Sequence, residues 1–192
     1  MYENNRHNVG FKVVELLARK FGVSFRKPFF KLYRIARINF QGGQLFLVKP
    51  LTFMNKSGII LKDIIKSTKC SIDNLVIICD NLDLPPGTCR FKSRGSSGGQ
   101  RGLASVIDNL GTENFKRIYI GIGRPGENTN VIDHVLGNPR DEELTEINKC
   151  IDTAAEGILL LLKESPEKVI AFVNRKNDRQ QLAVQRENIK SP

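Results

Sequence analysis

Three polar residues occupy positions from which chemistry is commonly done. His7, in "RHNVGF", is one of only two histidines in 192 residues. Asp80 ends the apolar run "NLVIICD", so its carboxylate is expected at the edge of a sheet. Asn55, in "PLTFMNKSG", falls just after an apolar strand pattern and just before a helical one. An aspartate beside a histidine is enough to activate water: the carboxylate fixes the imidazole tautomer, and the neutral nitrogen accepts the proton. An asparagine amide can hold an oxyanion or a substrate amide through its NH₂ group. Taken singly, each residue also has a plainer reading. A strand-end aspartate often closes a turn or caps a helix, and a lone histidine often serves packing. His134, in "VIDHVLG", is read as structural or surface. A serine nucleophile is not indicated, because "GSSGG" does not match the G-x-S-x-G elbow.

Positioning those groups requires a framework, and the hydrophobic periodicity supplies one. Val9, Val13, Leu16, Leu17 and Phe21 recur at helical spacing over residues 8 to 21. "YRIARINF" and "GQLFLVKP" read as strands around the turn "QGG". "NKSGIILKDIIKS" reads as a helix with Ser57 as N-cap and Ile60, Ile64 and Ile65 facing inward. "NLVIICD" and "RIYIGIG" are continuous apolar runs, as expected of strands covered on both faces. "TCRFKSR" alternates as a strand. "RGSSGGQRG" reads as a loop before the helical "LASVIDNL". A long helix is predicted from "PRDEELTEINKCIDTAAEGILLLLKE", then a short one in "SPEKVIAFVN" and a polar tail. Strands alternating with helices predict an α/β three-layer sandwich: a mixed, mainly parallel twisted sheet with helices on both faces. One domain over residues 1–174 is expected, followed by a tail over 175–192. Active sites of such open sheets gather outside the carboxyl ends of the strands. "NRHNVG", "PLTFMNKSG", "CDNLDLPPG" and "GSSGGQRGL" all fall there.

Bulk composition narrows the partner. Thirty Lys and Arg against twenty Asp and Glu give a net charge of +10, which favours a polyanion, since each neutralised phosphate releases counterions. The four cysteines show no C-x-x-C pairing, so a reduced, cytoplasmic chain without structural zinc is expected. The polar start lacks the apolar core of a signal peptide, and no apolar run approaches the roughly 18 residues that span a bilayer.

In combination the motifs are far more specific. "RHNVGF", "VKPLTFMNKSG", "DNLDLPPG" and "IGIGRP…HVLG", in this order, resemble the bacterial-type peptidyl-tRNA hydrolases from Tyr2 to about Asn174. The resemblance implies a monomeric, phosphorylase/hydrolase-like enzyme. Such an enzyme cleaves the ester between a peptide and tRNA in prematurely released peptidyl-tRNA, recycling the tRNA. No metal or organic cofactor and no membrane are implied. His7 would be the general base and Asp80 its orienting partner. Asn55 would bind the peptide backbone or the oxyanion, Met54 would line the peptide cleft, and Tyr2 and Asn8 would flank the site. Lys92, Arg94 and Arg117 are candidates for tRNA phosphate contacts, with Arg101 able to add to them; a second basic stretch runs from Arg26 to Arg37. The alternative is a non-hydrolytic RNA-binding member of the same fold.

The chain departs from the family pattern in several places. The loop that usually ends in a His-Asn-Gly type sequence reads "GQRGL", placing Gln100 and Arg101 at the substrate site. Asn81 follows Asp80 where glutamate is usual, and Tyr119 stands at an often basic position. Family members begin with a strand and a Gly-Asn-Pro-Gly turn ahead of the Arg-His-Asn motif. The resemblance therefore predicts that this chain starts about a dozen residues late, without its first strand.

Overall fold

The computed structural model describes residues 5–127 and 129–175. A short 3-10 turn, Arg6–Asn8, leads into α1 (Val9–Lys20). An antiparallel hairpin follows, β1 (Tyr33–Phe40) and β2 (Gly43–Pro50), then 3-10 turns over Met54–Ile60 and helix α2 (Leu61–Thr68). Next come β3 (Val76–Asn81), β4 (Cys89–Lys92), α3 (Arg101–Leu110), β5 (Lys116–Gly121), α4 (Val131–Leu136) and α5 (Asp141–Leu161). Residues 166–175 are helical. The strands form a two-stranded sheet, β1-β2, and a three-stranded sheet in the order β3-β5-β4. The fold is α/β, with a mixed, open sheet arrangement flanked by helices. Two compact units emerge: one contains the chain up to Gly10, Ile78–Lys92 and the chain from Ile118, the other Phe11–Ile77 and Ser93–Arg117. The polar tail predicted over 175–192 lies outside the described residues from 176 onward.

In the Phe11–Ile77 unit, α1 buries Val13 and Leu17 completely, as the periodicity predicts. Phe21 departs from that pattern and is exposed. The helix stops at Lys20, where Gly22 takes a left-handed φ of 63° and Val23 N–H donates to Ala18 O, so Phe21 lies past the last helical turn. The hairpin pairs Tyr33 with Pro50 through to Phe40 with Gly43, turning on Gln41 and Gly42 as predicted. Tyr33 forms a small core with Ile60 and Ile64, against which Ile35 and Val48 pack. Ser57 does not cap a helix; its hydroxyl donates to Met54 O within the 3-10 turns, and α2 begins only at Leu61. The cause is tertiary. Gly58 N–H donates to the Ser105 hydroxyl of α3, and a Cβ on Gly58 would lie 2.0 Å from Ser105 O. That close approach holds the segment against α3 in 3-10 turns, and the regular helix begins only beyond it.

In the unit built on Ile78–Lys92, α5 buries Ile147, Cys150, Ile151 and Ala154, and the following helix contributes the fully buried Val169 and Val173. Asn174 extends this helix to the sheet: its carboxamide accepts from Phe91 N–H of β4 at 2.9 Å. β5 is the middle strand, which explains why Arg117 to Gly121 are all buried, whereas Val76 to Ile78 of β3 are only partly covered.

Candidate active site

His7 is held from three sides before it meets any partner. The Asn5 carboxamide accepts from Asn8 N–H at 3.1 Å and caps the 3-10 turn. Gly10, one turn later, sits against β3: a Cβ there would lie 2.5 Å from Ile78 O. Only glycine permits that approach. The third hold is Arg6. Its backbone N–H donates to Gly137 O at 3.1 Å, its Nη1 to His134 O at 3.2 Å, and its Nη2 to the Glu143 carboxylate at 2.6 Å. Arg6 is buried and ties the His7 turn to α4 and α5. Sequence reading assigned no role to Arg6. The available signal was its fixed place beside His7 in the "RHN" motif.

So anchored, the His7 imidazole faces the carboxyl end of β3. Its Nδ1 lies 2.8 Å from Asp80 Oδ1, and the Asp80 side chain is only 4% exposed against 19% for His7. A carboxylate here accepts from Nδ1–H, which leaves the lone pair on Nε2. No hydrogen bond to Nε2 is made among the described residues, and the His7 side chain as a whole keeps 19% of its surface exposed. The next residue shapes the loop: Asn81 Oδ1 accepts from the backbone N–H of Asp83 at 2.8 Å and of Leu84 at 3.1 Å. Asn81 therefore builds an Asx-type turn with its side-chain oxygen.

The three cysteines of this unit, Cys79, Cys89 and Cys150, are all buried. Burial pushes the Cys89 thiol far above its ordinary value and the Cys150 thiol up to about 12. The second histidine is structural as read: His134 Nε2 lies 3.0 Å from Gly123 O.

The other predicted residues divide by unit. Asn8 shares the His7 turn. Tyr2 lies outside the described residues. Met54, Asn55, Gln100 and Arg101 belong to the Phe11–Ile77 unit, where the Met54 sulfur lies against Gly102, next to Gln100 and Arg101; a Cβ at Gly102 would be 2.9 Å from Met54 Sδ and 3.0 Å from Gln100 Oε1. Asn55 and Arg101 are exposed. Gln100 has a duty the sequence did not reveal: its side-chain oxygen accepts from Leu103 N–H at 2.6 Å and caps α3, which starts two residues earlier than predicted. That oxygen is committed to the helix rather than to a substrate.

Lys92 and Arg94 are exposed, with Lys92 Nζ also 5.9 Å from the Tyr119 ring centroid. Arg117 overturns its expectation. It is fully buried, and its guanidinium donates to the carbonyls of Gly95, Ser96, Glu113 and Phe115 while stacking on the Phe115 ring. A rigid fork of five donors suits such a ring of carbonyls. With its charge enclosed, Arg117 staples the glycine-rich loop and cannot reach a phosphate.

Residues 1–181 match the family model described as "Peptidyl-tRNA hydrolase". A peptidyl-tRNA hydrolase of Exiguobacterium is 46% identical over 154 residues, covering 80% of this chain and 82% of the relative. One from Bacillus subtilis is 42% identical over 156 residues, covering 81% and 82%. The crystal structure of peptidyl-tRNA hydrolase from Acinetobacter baumannii superposes with a TM-score of 0.84 at 33% identity, over 90% of this chain and 88% of that one.

Proposed function

Because the chain belongs to the peptidyl-tRNA hydrolase family, we propose that it hydrolyses the ester between a peptide and the terminal ribose of tRNA, with His7 as general base. The observation that carries this reading is the 2.8 Å contact between His7 Nδ1 and Asp80 Oδ1. With Nδ1–H held by Asp80, Nε2 removes a proton from water as its oxygen attacks the ester carbonyl. Asp80 stabilises the imidazolium so formed. By the family resemblance, the Asn55 amide serves either the peptide backbone or the tetrahedral oxyanion, its NH₂ group being suited to both. Collapse breaks the carbonyl carbon–ribose oxygen bond. The imidazolium returns its proton to the departing ribose oxygen, releasing a peptide acid and intact tRNA.

In this reading Met54 lines the peptide side, Asn8 and Tyr2 flank the site, and Arg101 stands at the substrate edge. Lys92 and Arg94 hold phosphates. The enzyme acts as a monomer in the cytoplasm; no helix among the described residues is long and apolar enough to cross a membrane. A purely RNA-binding role would not call for a histidine oriented by a nearly buried carboxylate.

Purified protein incubated with peptidyl-tRNA should release peptide, and His7→Ala should lose about 10²–10⁴ in rate while binding tRNA normally. Retention of more than half the wild-type turnover would overturn the assignment.

A further inference from the structure

The Phe11–Ile77 unit carries a surface that the hydrolytic chemistry does not use. Five cations, Arg26, Lys27, Lys31, Arg34 and Arg37, fall within twelve residues that contain no acidic side chain. Between them, Phe29 and Phe30 are 83% and 90% exposed, with ring centroids 4.1 Å apart. A soluble protein gains by burying phenyl groups, so two adjacent bare rings point to an occupant. The backbone agrees. Phe30 has a φ of 56°, a left-handed conformation disfavoured for a bulky side chain. The loop that imposes it is closed at its base by reciprocal bonds between Arg26 and Ile35, Arg26 N–H to Ile35 O at 2.9 Å and Ile35 N–H to Arg26 O at 2.8 Å. Lys31 pins its far side through Asp63 at 2.6 Å. Beside the loop runs an open groove of ≈ 780 Å³, walled in part by Arg26, Lys27, Pro28, Arg37 and Phe46. Lys31 is paired, whereas Arg26, Lys27, Arg34 and Arg37 make no ion pair among the described residues.

We propose that this loop and groove bind a single-stranded segment of the RNA substrate, with bases stacked on Phe29 and Phe30 and phosphates set against Arg26, Lys27 and Arg37. The identity of the RNA as substrate rests on the proposed hydrolysis of peptidyl-tRNA. Unstacked bases offer flat π-faces to phenyl rings without regard to sequence, and the chain that carries them brings a phosphate at every step. Rings interleaved with unpaired cations match that alternation. An anionic lipid surface is the other chemistry that suits rings and cations together. A rigid, bridge-closed loop beside a groove fits a strand better than a bilayer, which favours a helix lying in its plane.

The test measures binding without cleavage, so it does not depend on His7. Fluorescence anisotropy with a labelled single-stranded RNA of about ten nucleotides would be recorded over a range of salt. The double variant Phe29→Ala/Phe30→Ala should lose roughly ten-fold or more in affinity with its salt slope unchanged. The triple variant Arg26→Ala/Lys27→Ala/Arg37→Ala should weaken binding and flatten the slope by about two to three. All these side chains are exposed, and unchanged melting temperatures would certify the folds. With peptidyl-tRNA, both variants should raise KM and leave kcat intact. Wild-type RNA affinity in the double phenylalanine variant would overturn the proposal, as would wild-type binding of anionic phosphatidylserine vesicles that this variant loses while keeping its RNA affinity. A wild-type protein that binds this RNA through these side chains yet never cleaves peptidyl-tRNA would instead fail the hydrolytic reading and leave the RNA surface standing.

Discussion

The Arg6 guanidinium donates to the Glu143 carboxylate at 2.6 Å, joining the residue next to His7 to the first turn of α5 across 137 positions of sequence. Arg6 touches neither water nor ester in the proposed chemistry, so its contribution is to position. Arg6→Ala should leave the Glu143 charge short of a partner and free the His7 turn, destabilising the fold by about 3 kcal/mol. Beyond that loss, kcat measured well below the melting temperature should fall while KM for peptidyl-tRNA stays near wild type. A variant with reduced stability but wild-type kcat would reduce Arg6 to a purely structural residue.

Acid should undo the same link. Burial acts to raise the Glu143 carboxyl, but hydrogen bonds from Arg6 and Arg140 outweigh it and hold the group below its ordinary value. A depressed folded value means the contribution is complete above the usual glutamate pKa of ~4.3 and is lost as pH falls through the folded value. Urea midpoints followed into acid should therefore fall more steeply for wild type than for Glu143→Gln, which cannot titrate. Parallel curves would show that the pair adds nothing to acid stability.

Asp80→Asn replaces an acceptor with a group that can present NH₂ to Nδ1 and so favour the wrong imidazole tautomer. Turnover should fall by about 10²–10⁴, the range for loss of general-base function, with a small change in melting temperature. Normal specific activity beside a large drop in melting temperature would make Asp80 a turn residue instead.

Exposed and enclosed cations should behave differently. Lys92→Ala and Arg94→Ala should each weaken tRNA binding and reduce its salt slope by about 1, without altering the melt. Arg117→Ala should do the reverse, lowering the melting temperature because four loop carbonyls lose their donor. An unchanged salt slope in the Lys92→Ala/Arg94→Ala double variant would move the phosphate contacts to other residues.

Gly58→Ala forces a methyl group to within 2.0 Å of Ser105 O. Separation of α3 from the Met54–Ile60 turns should cost at least about 1–3 kcal/mol, the usual range for overpacking. Met54 and Asn55 ride on those turns, so KM should rise as well. Thermal melts and steady-state kinetics on the same sample check both.

Much of this molecule was legible without coordinates, for local reasons. The hairpin strands run over 33–40 and 43–50 as read, because alternation and a two-residue turn containing glycine specify a register on their own. The long helix α5 was equally plain, since its apolar stripe persists over several turns. His7, Asp80 and Asn55 stood out by residue type and by their places at the ends of apolar runs. What the linear order could not determine was any property set by distant neighbours. Ser57 is a residue type favoured at N-caps, yet the neighbouring Gly58 N–H donates to the Ser105 hydroxyl and the helix starts only at Leu61. Arg6 and Arg117 look like surface cations, yet one is a buried clasp and the other a loop staple. Charge and spacing along a chain cannot say which guanidinium will be enclosed, because burial depends on carbonyls brought close only by folding. The separation of 73 positions between His7 and Asp80 makes the same point. The sequence by itself determined which groups were present to do acid–base chemistry. Only the close approach of Gly10 to β3 and the anchoring of Arg6 brought two of them to 2.8 Å, the separation at which one can orient the other.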